Sequence, residues 1–220
     1  MTNREQTVIS LEAQKAVCLY RGGSMTAEQF KHVGQAVLDG GARFIEVTID
    51  HNAHKEEAAF EAVDALTSTF GDDLTIGVGT VLAAEEVNCA HAAGARFIVS
   101  PVLSKEVVAL THELDMMSIP GVITPTEVMQ AVNLGADFLK VFPIGELGLG
   151  YAKAVLVPLG FPRYLAVCKM TPENFEAFLG IGFKAAAISS SINNQELIKK
   201  GQFSEISRRI AEYVEIASRY

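Results

Sequence analysis

The sequence contains little cysteine, and its cysteines show no regular spacing. Cys18, Cys89 and Cys168 are the only three in 220 residues, and no CxxC pair occurs. An odd count without paired spacing argues against a disulfide framework and against a structural zinc site. The cysteines therefore predict neither a disulfide-bonded scaffold nor a metal-stabilised fold.

Basic residues are scarce relative to acidic ones. The chain has 18 lysines and arginines against 26 aspartates and glutamates, for a formal net charge of −8 at pH 7. Nucleic acids need a basic face for their phosphates, so we do not expect a nucleic acid as a partner. A small anionic substrate needs only a local positive site and is compatible with this charge.

Long apolar runs are also absent. No stretch approaches the length of a membrane-spanning helix, and Met1 to Gln6 are polar with no apolar signal core behind them. We therefore expect no membrane partner and, as the default compartment, a reducing cytoplasm.

The sequence does contain a repeated motif. In each copy a glycine suited to the C′ position of a helix is followed by a short apolar strand. The spacing of roughly 40 to 55 residues is too long for one strand–helix unit and fits two compact ones. The four copies begin at Gly41, Gly94, Gly135 and Gly182.

Further candidate strands lie between these motifs and ahead of the first one, at 16–21, 74–79, 116–122 and 163–167. About eight strands, each followed by helical sequence, predict a (β/α)8 TIM barrel. With no linker or break in composition, we expect a single α/β domain over residues 1–220, with a polar N-terminal segment 1–10 leading in. A doubly wound open sheet is the structural alternative.

The same sequence also predicts where several helices begin. Thr26 with Gln29, and Thr124 with Glu127, fit the capping box. Thr171, followed by a proline suited to a first helical turn, opens another helix in the same style. These signals support the predicted alternation of strands and helices.

One strand carries a charge in its middle. Phe138 to Pro143 reads as a short buried strand, and Lys140 lies at its centre. Lysine is almost never buried unless it is paired with a counter-charge or has a chemical role. Removal of the side chain from water favours the neutral amine, which is the nucleophilic form. The alternative is a lysine that extends its amine out at the strand end and leaves only its stem in the core.

A carboxylate is predicted to face the same interior. In 44–50 the aliphatic residues alternate with Glu46 and Thr48, and helices outside the barrel should attract the aliphatic face. Glu46 and Lys140 would then point inward from the second and the sixth strands. Glu46 is either an acid/base group beside a reactive amine or one half of a structural ion pair with Lys140 or Arg21.

Two glycines follow on the next strand. Gly77 and Gly79 remove side chains from one face of it, where a ligand or another chain segment can approach. The alternative is a glycine-rich turn before the next helix.

Taken together, these segments resemble the bacterial class I aldolases for 2-keto-3-deoxy-6-phosphogluconate, a family that also includes 4-hydroxy-2-oxoglutarate aldolases. The resemblance covers nearly the whole chain. It is carried by Glu46-Val47-Thr48, Gly77 to Leu82, Ser100-Pro101, Pro120-Gly121 and Lys140 to Pro143. Arg21-Gly22, Ala166-Val167 and Thr171 to Asn174 resemble the 6-phosphogalactonate branch of the same family.

The resemblance implies roles for individual residues. Lys140 would form a Schiff base with the ketone of a 2-keto-3-deoxy acid, and Glu46 would act as the general acid/base. Arg21 and Thr80 match positions that hold the pyruvyl carboxylate. Pro101 and Phe142 would shape the pocket. The reaction would need no metal and no cofactor, and the assembly would be a homotrimer.

The chain departs from the family at the end of the substrate remote from the lysine. Cys168 and Lys169 stand where the family has two glycines that help to hold a phosphate, and Ser189, Ser190 and Ser191 stand where a glycine–serine pair is usual. Side chains at those positions narrow the room beside the backbone. Lys169, Ser189 and Ser190 are either an anion site of a different kind or the lining of a pocket for an unphosphorylated acid, and Lys169 is alternatively a solvated loop lysine.

Three functions stay open at this point. The first is an aldolase releasing pyruvate and glyceraldehyde 3-phosphate from 2-keto-3-deoxy-6-phosphogluconate or its galactonate epimer. The second is an aldolase for 4-hydroxy-2-oxoglutarate or another unphosphorylated 2-keto acid. The third is a barrel that binds a keto acid without turnover. Asp50, His51 and His54 are metal-ligand types in close spacing, but on a polar loop we expect them to face solvent.

Overall fold

A computed structural model describes residues 1–220 and shows one parallel sheet. Its nine strand segments run in the order β5-β4-β3-β2-β1-β9-β8-β7-β6. Their bounds are β1 Ala16–Arg21, β2 Phe44–Thr48, β3 Thr75–Gly79, β4 Phe97–Val99, β5 Met117–Ile119, β6 Gly121–Val122, β7 Leu139–Val141, β8 Tyr164–Ala166 and β9 Ala185–Ile188.

The two ends of this order, β5 and β6, are consecutive in the chain. Only Pro120 separates them, and a proline has no N–H for the sheet ladder. Nine segments therefore fill eight positions around a nearly closed barrel, in which Lys140 on β7 occupies the sixth position. The predicted TIM-type barrel is confirmed, and the open sheet is wrong.

Helices surround the strands. Their bounds are α1 Asn3–Gln14, α2 Ala27–Asp39, α3 Glu56–Phe70, α4 Ala84–Ala92, α5 Lys105–Glu113, α6 Pro125–Asn133, α7 Ile144–Leu159, α8 Pro172–Gly180, α9 Gln195–Lys199 and α10 Phe203–Ala217. None of them combines the length and the apolar character needed to span a membrane.

Strand alternation divides the core into two layers, as the pattern at 44–50 predicts. Ile45 and Val47 belong to the large cluster between the sheet and the helices. Phe44 belongs to a second cluster inside the barrel, together with Phe97 and Phe138. Glu46 follows Phe44 on the inward face, as Lys140 follows Phe138, so both polar groups point toward the interior.

The predicted helix ends are present. All four glycines of the repeated motif have positive φ, between 75° at Gly135 and 110° at Gly182. Positive φ is the left-handed conformation of a helix C′ residue. Thr26 and Thr124 form capping boxes with Gln29 and Glu127. Thr171 forms one with Asn174 ahead of Pro172.

The N-terminal segment does more than lead into the barrel. Residues 3–14 form α1, which starts at a capping box between Thr2 and Glu5. Its buried Val8 and Leu11 join the interior cluster. The helix therefore covers the amino-terminal end of the barrel and leaves the carboxyl ends of the strands open.

Candidate active site

A cleft of about 700 Å³ opens at the carboxyl ends of the strands. This is the end at which TIM barrels carry their active sites. It is lined by Leu19, Arg21, Thr48, Ile49, Asp50, His51, Asn52, Thr80, Pro101, Lys140, Phe142, Val167, Cys168, Lys169, Ala187, Ser189, Ser190 and Asn193. The cleft thus gathers every site residue predicted from the sequence except Glu46.

Lys140 lies at the bottom of this cleft. β7 holds its backbone between β6 and β8, where it pairs with Gly121 and Leu165. The whole residue is only 5% exposed. The Nζ atom lies 5.4 Å from the centroid of the Phe142 ring, within cation–π range. Lys140 is therefore a buried amine that lines the cleft, and it does not extend into bulk water.

Glu46 lies deeper than the cleft surface and is fully buried. Neither of its carboxylate oxygens has a hydrogen-bond partner, and it forms no ion pair with Lys140 or Arg21. Burial raises the pKa of Glu46, and the positive charge of Lys140 opposes that rise. A buried carboxyl without a partner is costly to a fold. The contacts therefore give Glu46 no structural ion pair to explain its presence.

The two glycines of β3 make room for interior side chains. A Cβ atom at Gly79 would overlap the carboxylate of Glu46, and one at Gly77 would overlap the ring of Phe97. The sequence predicts a close approach at this strand, and the approaching groups are side chains of the barrel itself. Glu46 can occupy its position only because residue 79 has no side chain.

The turn after β3 presents Thr80 to the cleft in an uncommon conformation. Thr80 has a φ of 62°, a left-handed value that is rare for a β-branched residue. Its carbonyl oxygen lies 2.9 Å from Nε2 of His51. His51 also approaches Glu86, at 3.4 Å. His51 was considered above only as a metal ligand; here it supports the Thr80 turn.

The other potential metal ligands do not gather around a common point. Asp50 lines the cleft, and its Oδ1 accepts a hydrogen bond from the amide of Ala53 at 3.2 Å. His54 is exposed. No group of three ligand-type side chains in the chain is arranged to hold a metal ion.

Arg21 ends β1 and is exposed in the cleft mouth. In register it lies beside Thr48 of β2. Its guanidinium forms no ion pair or hydrogen bond with another residue of the chain, so its donors are free to meet a carboxylate. Pro101, after β4, and Phe142, after β7, line the same cleft.

The loop after β8 keeps a backbone suited to glycine although it carries side chains. Cys168 has a φ of 99° and Lys169 a φ of 49°. The Lys169 amine lies 2.6 Å from Oε1 of Glu146. Hydrogen bonding to Glu146 raises the pKa of Lys169. The pair is largely exposed, so Lys169 lines the cleft with a carboxylate partner beside it, and its role in binding an anion stays a prediction.

The loop after β9 contributes neutral polar groups. Ser189 and Ser190 line the cleft, whereas the Ser191 hydroxyl lies 3.2 Å from the hydroxyl of Tyr213, outside the lining. Asn193 also lines the cleft. Asn193 and Asn52 are missing from the sequence-based set. The one signal available for them is their position after a strand carboxyl end.

The fold and the cleft together have the arrangement of a TIM-barrel enzyme, in which a buried amine and a buried carboxyl lie below an open cleft. Comparison with known proteins defines this class further. The family model described as KDPG and KHG aldolase matches residues 22–209. The chain belongs to this aldolase family, and its enzymatic class is that of a carbon–carbon lyase.

Individual relatives agree with this assignment. The 2-dehydro-3-deoxy-6-phosphogalactonate aldolase of Escherichia coli (strain K12) is 33% identical over 166 residues, which cover 75% of this chain and 78% of the relative. The 2-dehydro-3-deoxy-phosphogluconate aldolase of Haemophilus influenzae is 29% identical over 86% of this chain and 87% of its own length.

A solved structure extends the comparison to a trapped intermediate. The KDPG aldolase of Legionella pneumophila, with pyruvate captured as a covalent carbinolamine intermediate, superimposes with a TM-score of 0.82 at 25% identity. The match covers 93% of this chain and 96% of that one.

Proposed function

We propose that this protein is a class I aldolase that cleaves a 2-keto-3-deoxy acid to pyruvate and an aldehyde through a Schiff base on Lys140. The observation that carries the proposal is the presence of two buried ionisable side chains in one barrel interior. Lys140 is a buried amine that lines the cleft, and Glu46 is a buried carboxyl without a hydrogen-bond partner, whose pKa is raised by burial and held down in part by the charge of Lys140. The pyruvate carbinolamine in the Legionella relative supports the same chemistry.

The reaction begins at the substrate ketone. The amine of Lys140 attacks C2, and loss of water gives an iminium ion, which can accept an electron pair. Removal of the C4 hydroxyl proton then breaks the C3–C4 bond, whose electrons flow into the iminium. The aldehyde leaves, and an enamine of pyruvate stays on Lys140. Protonation at C3 and addition of water release pyruvate and restore the amine.

Glu46 carries the proton in this scheme. Because its carboxyl lies below the cleft surface, the C4 proton would reach it through a water. The same carboxyl returns a proton to C3 of the enamine. Burial raises the pKa of Glu46, which favours the protonated carboxyl that must donate to C3.

Two cleft residues would hold the pyruvyl carboxylate. Arg21 offers a planar pair of N–H donors that matches a carboxylate and has no partner in the chain. Thr80 presents a hydroxyl on the turn that His51 supports. Pro101 and Phe142 would confine the carbon chain between these groups and Lys140. This set serves the pyruvyl end, which is common to the phosphorylated substrates that the relatives' names give and to unphosphorylated acids.

A keto-acid-binding barrel without turnover fits the site less well. Such a protein needs Arg21 and Thr80 but has no use for a buried carboxyl without a hydrogen bond, which costs stability. The deuterium content of pyruvate in D₂O tests the difference. The enzyme should exchange the methyl protons through the enamine, and Glu46→Gln should slow the exchange by about 10²- to 10⁴-fold. A wild-type protein that leaves the methyl protons in place would show that no enamine forms.

The family resemblance implies the assembly, and the sequence makes a reducing cytoplasm the default compartment. We expect a homotrimer that works in the cytoplasm. Light scattering of the purified protein tests the first expectation, and a mass of one or two chains would contradict it.

A further inference from the structure

The turn after β3 holds Thr80 in a conformation that its side chain disfavours. Thr80 lines the cleft and has a φ of 62°. A β-branched residue is crowded in this left-handed region, so the turn persists only if the surrounding structure fixes it. The contacts that fix the turn therefore decide where the Thr80 hydroxyl, one of the two groups assigned to the pyruvyl carboxylate, is presented.

Two hydrogen bonds from the loop after β2 fix this turn. The amide of Ile49 donates to the carbonyl of Gly79 at 2.9 Å, which sets the peptide before Thr80. Nε2 of His51 lies 2.9 Å from the carbonyl oxygen of Thr80, which sets the peptide after it. Because a carbonyl only accepts, Nε2 carries a proton and is the donor. The orientations of these two peptides define φ and ψ of Thr80, and the side chain of His51 fixes the second of them.

The imidazole of His51 is itself flanked by two carboxylates. Oε1 of Glu86 lies 3.4 Å from Nε2, and Oε1 of Glu56 lies 3.7 Å from Nδ1. Oε2 of Glu86 accepts hydrogen bonds from the amides of Leu82 and Ala83, at 2.7 and 3.2 Å. A single carboxylate on α4 thus contacts both the imidazole and the chain just beyond the turn. The ring, the turn and the start of α4 form one connected unit.

His51 lines the cleft, but its polar atoms are directed at the protein. Both ring nitrogens face groups of the chain, namely the Thr80 carbonyl and the carboxylates of Glu86 and Glu56. The imidazole forms no hydrogen bond or ion pair with Lys140. An effect of His51 on a bound ligand would therefore pass through Thr80.

We infer that His51 is a positioning residue for carboxylate binding: it holds Thr80 in the left-handed turn that places its hydroxyl for the pyruvyl carboxylate. This inference rests on the proposed function and adds a residue to the part of the site that binds the keto acid. It predicts an effect of His51 on binding and not on the chemistry at Lys140.

The experiment measures KM and kcat for deuterium exchange into pyruvate. His51→Ala should raise KM by about three- to twentyfold and change kcat by less than about threefold. A partly unfolded preparation would lower the apparent kcat without changing KM, because only folded molecules turn over. KM therefore separates positioning from a general loss of structure, and a KM within about twofold of the wild type would overturn the inference.

Two amide substitutions test the hydrogen bond itself. Glutamine places an N–H near the position of Nε2, whereas asparagine is too short to reach the Thr80 carbonyl from the same backbone. His51→Gln should keep KM within about twofold of the wild type, and His51→Asn should raise KM as His51→Ala does. Equal KM values for the two amide variants would overturn the inference.

His54→Asn is the matched control. His54 lies exposed on the same loop, and asparagine tolerates its φ of 51°. This variant should leave KM for pyruvate unchanged. A rise in KM as large as that of His51→Ala would mean that any change in this loop weakens binding, and the specific role of His51 would be lost.

A glycine at position 80 tests whether His51 acts through Thr80. Thr80→Gly removes the hydroxyl and accepts a positive φ without strain, so the turn no longer needs support. In this background, His51→Ala should change KM by less than about twofold. A rise as large as in the wild-type background would show that His51 affects pyruvate by another route, and the inference would be wrong.

Exchange by the wild type reports on the proposed function separately. A wild type that exchanges pyruvate, together with an unchanged KM in His51→Ala, overturns only the inference about His51. A wild type that does not exchange pyruvate overturns the proposed function and the inference with it.

Discussion

Gly79 and Glu46 form a matched pair on neighbouring strands. The carboxylate of Glu46 occupies the space where a side chain at position 79 would begin. No other group of the chain donates a hydrogen bond to Glu46, and packing against Gly79 positions its carboxyl inside the barrel. The absence of a Cβ atom at residue 79 is thus part of the proposed acid/base machinery.

Gly79→Ala should therefore remove activity by moving Glu46. We expect kcat for cleavage to fall by about 10²-fold or more, similar to loss of the acid/base group itself. Gly150→Ala is the matched control, because a Cβ atom there meets nothing within 4 Å. It should keep wild-type kcat and change the free energy of unfolding by about 1 kcal/mol or less. An active Gly79→Ala enzyme would show that the position of Glu46 is not critical.

The pKa of Glu46 makes a prediction about stability. Burial raises this pKa above its ordinary value of 4.5, so folding favours the protonated form. The stability from this group is complete below pH 4.5 and is lost as the pH rises through the folded-state pKa. Glu46→Gln mimics the protonated form at every pH. Its free energy of unfolding should match that of the wild type near pH 4 and exceed it by about 1–3 kcal/mol above the folded-state pKa.

Urea denaturation of both proteins across this pH range measures the difference directly. The other carboxylates are the same in the two proteins, so their contributions cancel in the difference between the two free energies of unfolding. A difference that did not grow with pH would mean that Glu46 has an ordinary pKa in the folded protein.

Arg21 should matter for the substrate carboxylate and for nothing else. Arg21→Ala should raise KM for pyruvate in the exchange reaction by about 10- to 100-fold, the loss expected for hydrogen bonds between charged groups. Arg21→Lys keeps the charge but not the paired donors, so its KM for pyruvate should lie between that of the wild type and that of Arg21→Ala. Hydroxyacetone, a ketone without a carboxylate, is the control substrate. If Arg21→Ala slowed exchange of hydroxyacetone as much as that of pyruvate, a carboxylate-binding role would be excluded.

Local signals predicted most of the fold. The glycines at 41, 94, 135 and 182 end helices through their own backbone conformation, and the capping threonines act within three residues of themselves. Alternation at 44–50 placed Glu46 inside because every second residue of a strand shares a face. These features depend on neighbours in the chain, so they can be predicted from the sequence alone.

Features that depend on distant residues were not predictable. No local pattern pairs Lys169 with Glu146, which lies on the helix after another strand. The same holds for His51, which supports Thr80 from a different loop, and for Val8 and Leu11, which enter the barrel interior only because α1 folds under it. The sequence marked Cys168 as a departure, but its glycine-like φ of 99° is visible only in the structure.

The central claim is that Lys140 forms the Schiff base, and reductive trapping tests it most directly. The protein is incubated with pyruvate and borohydride, and the adduct is located by mass spectrometry of peptides. The account predicts irreversible loss of activity and one reduced pyruvyl adduct, on Lys140, which is absent from Lys140→Arg. Labelling of another lysine, or no labelling while an established class I aldolase is labelled in parallel, would contradict it.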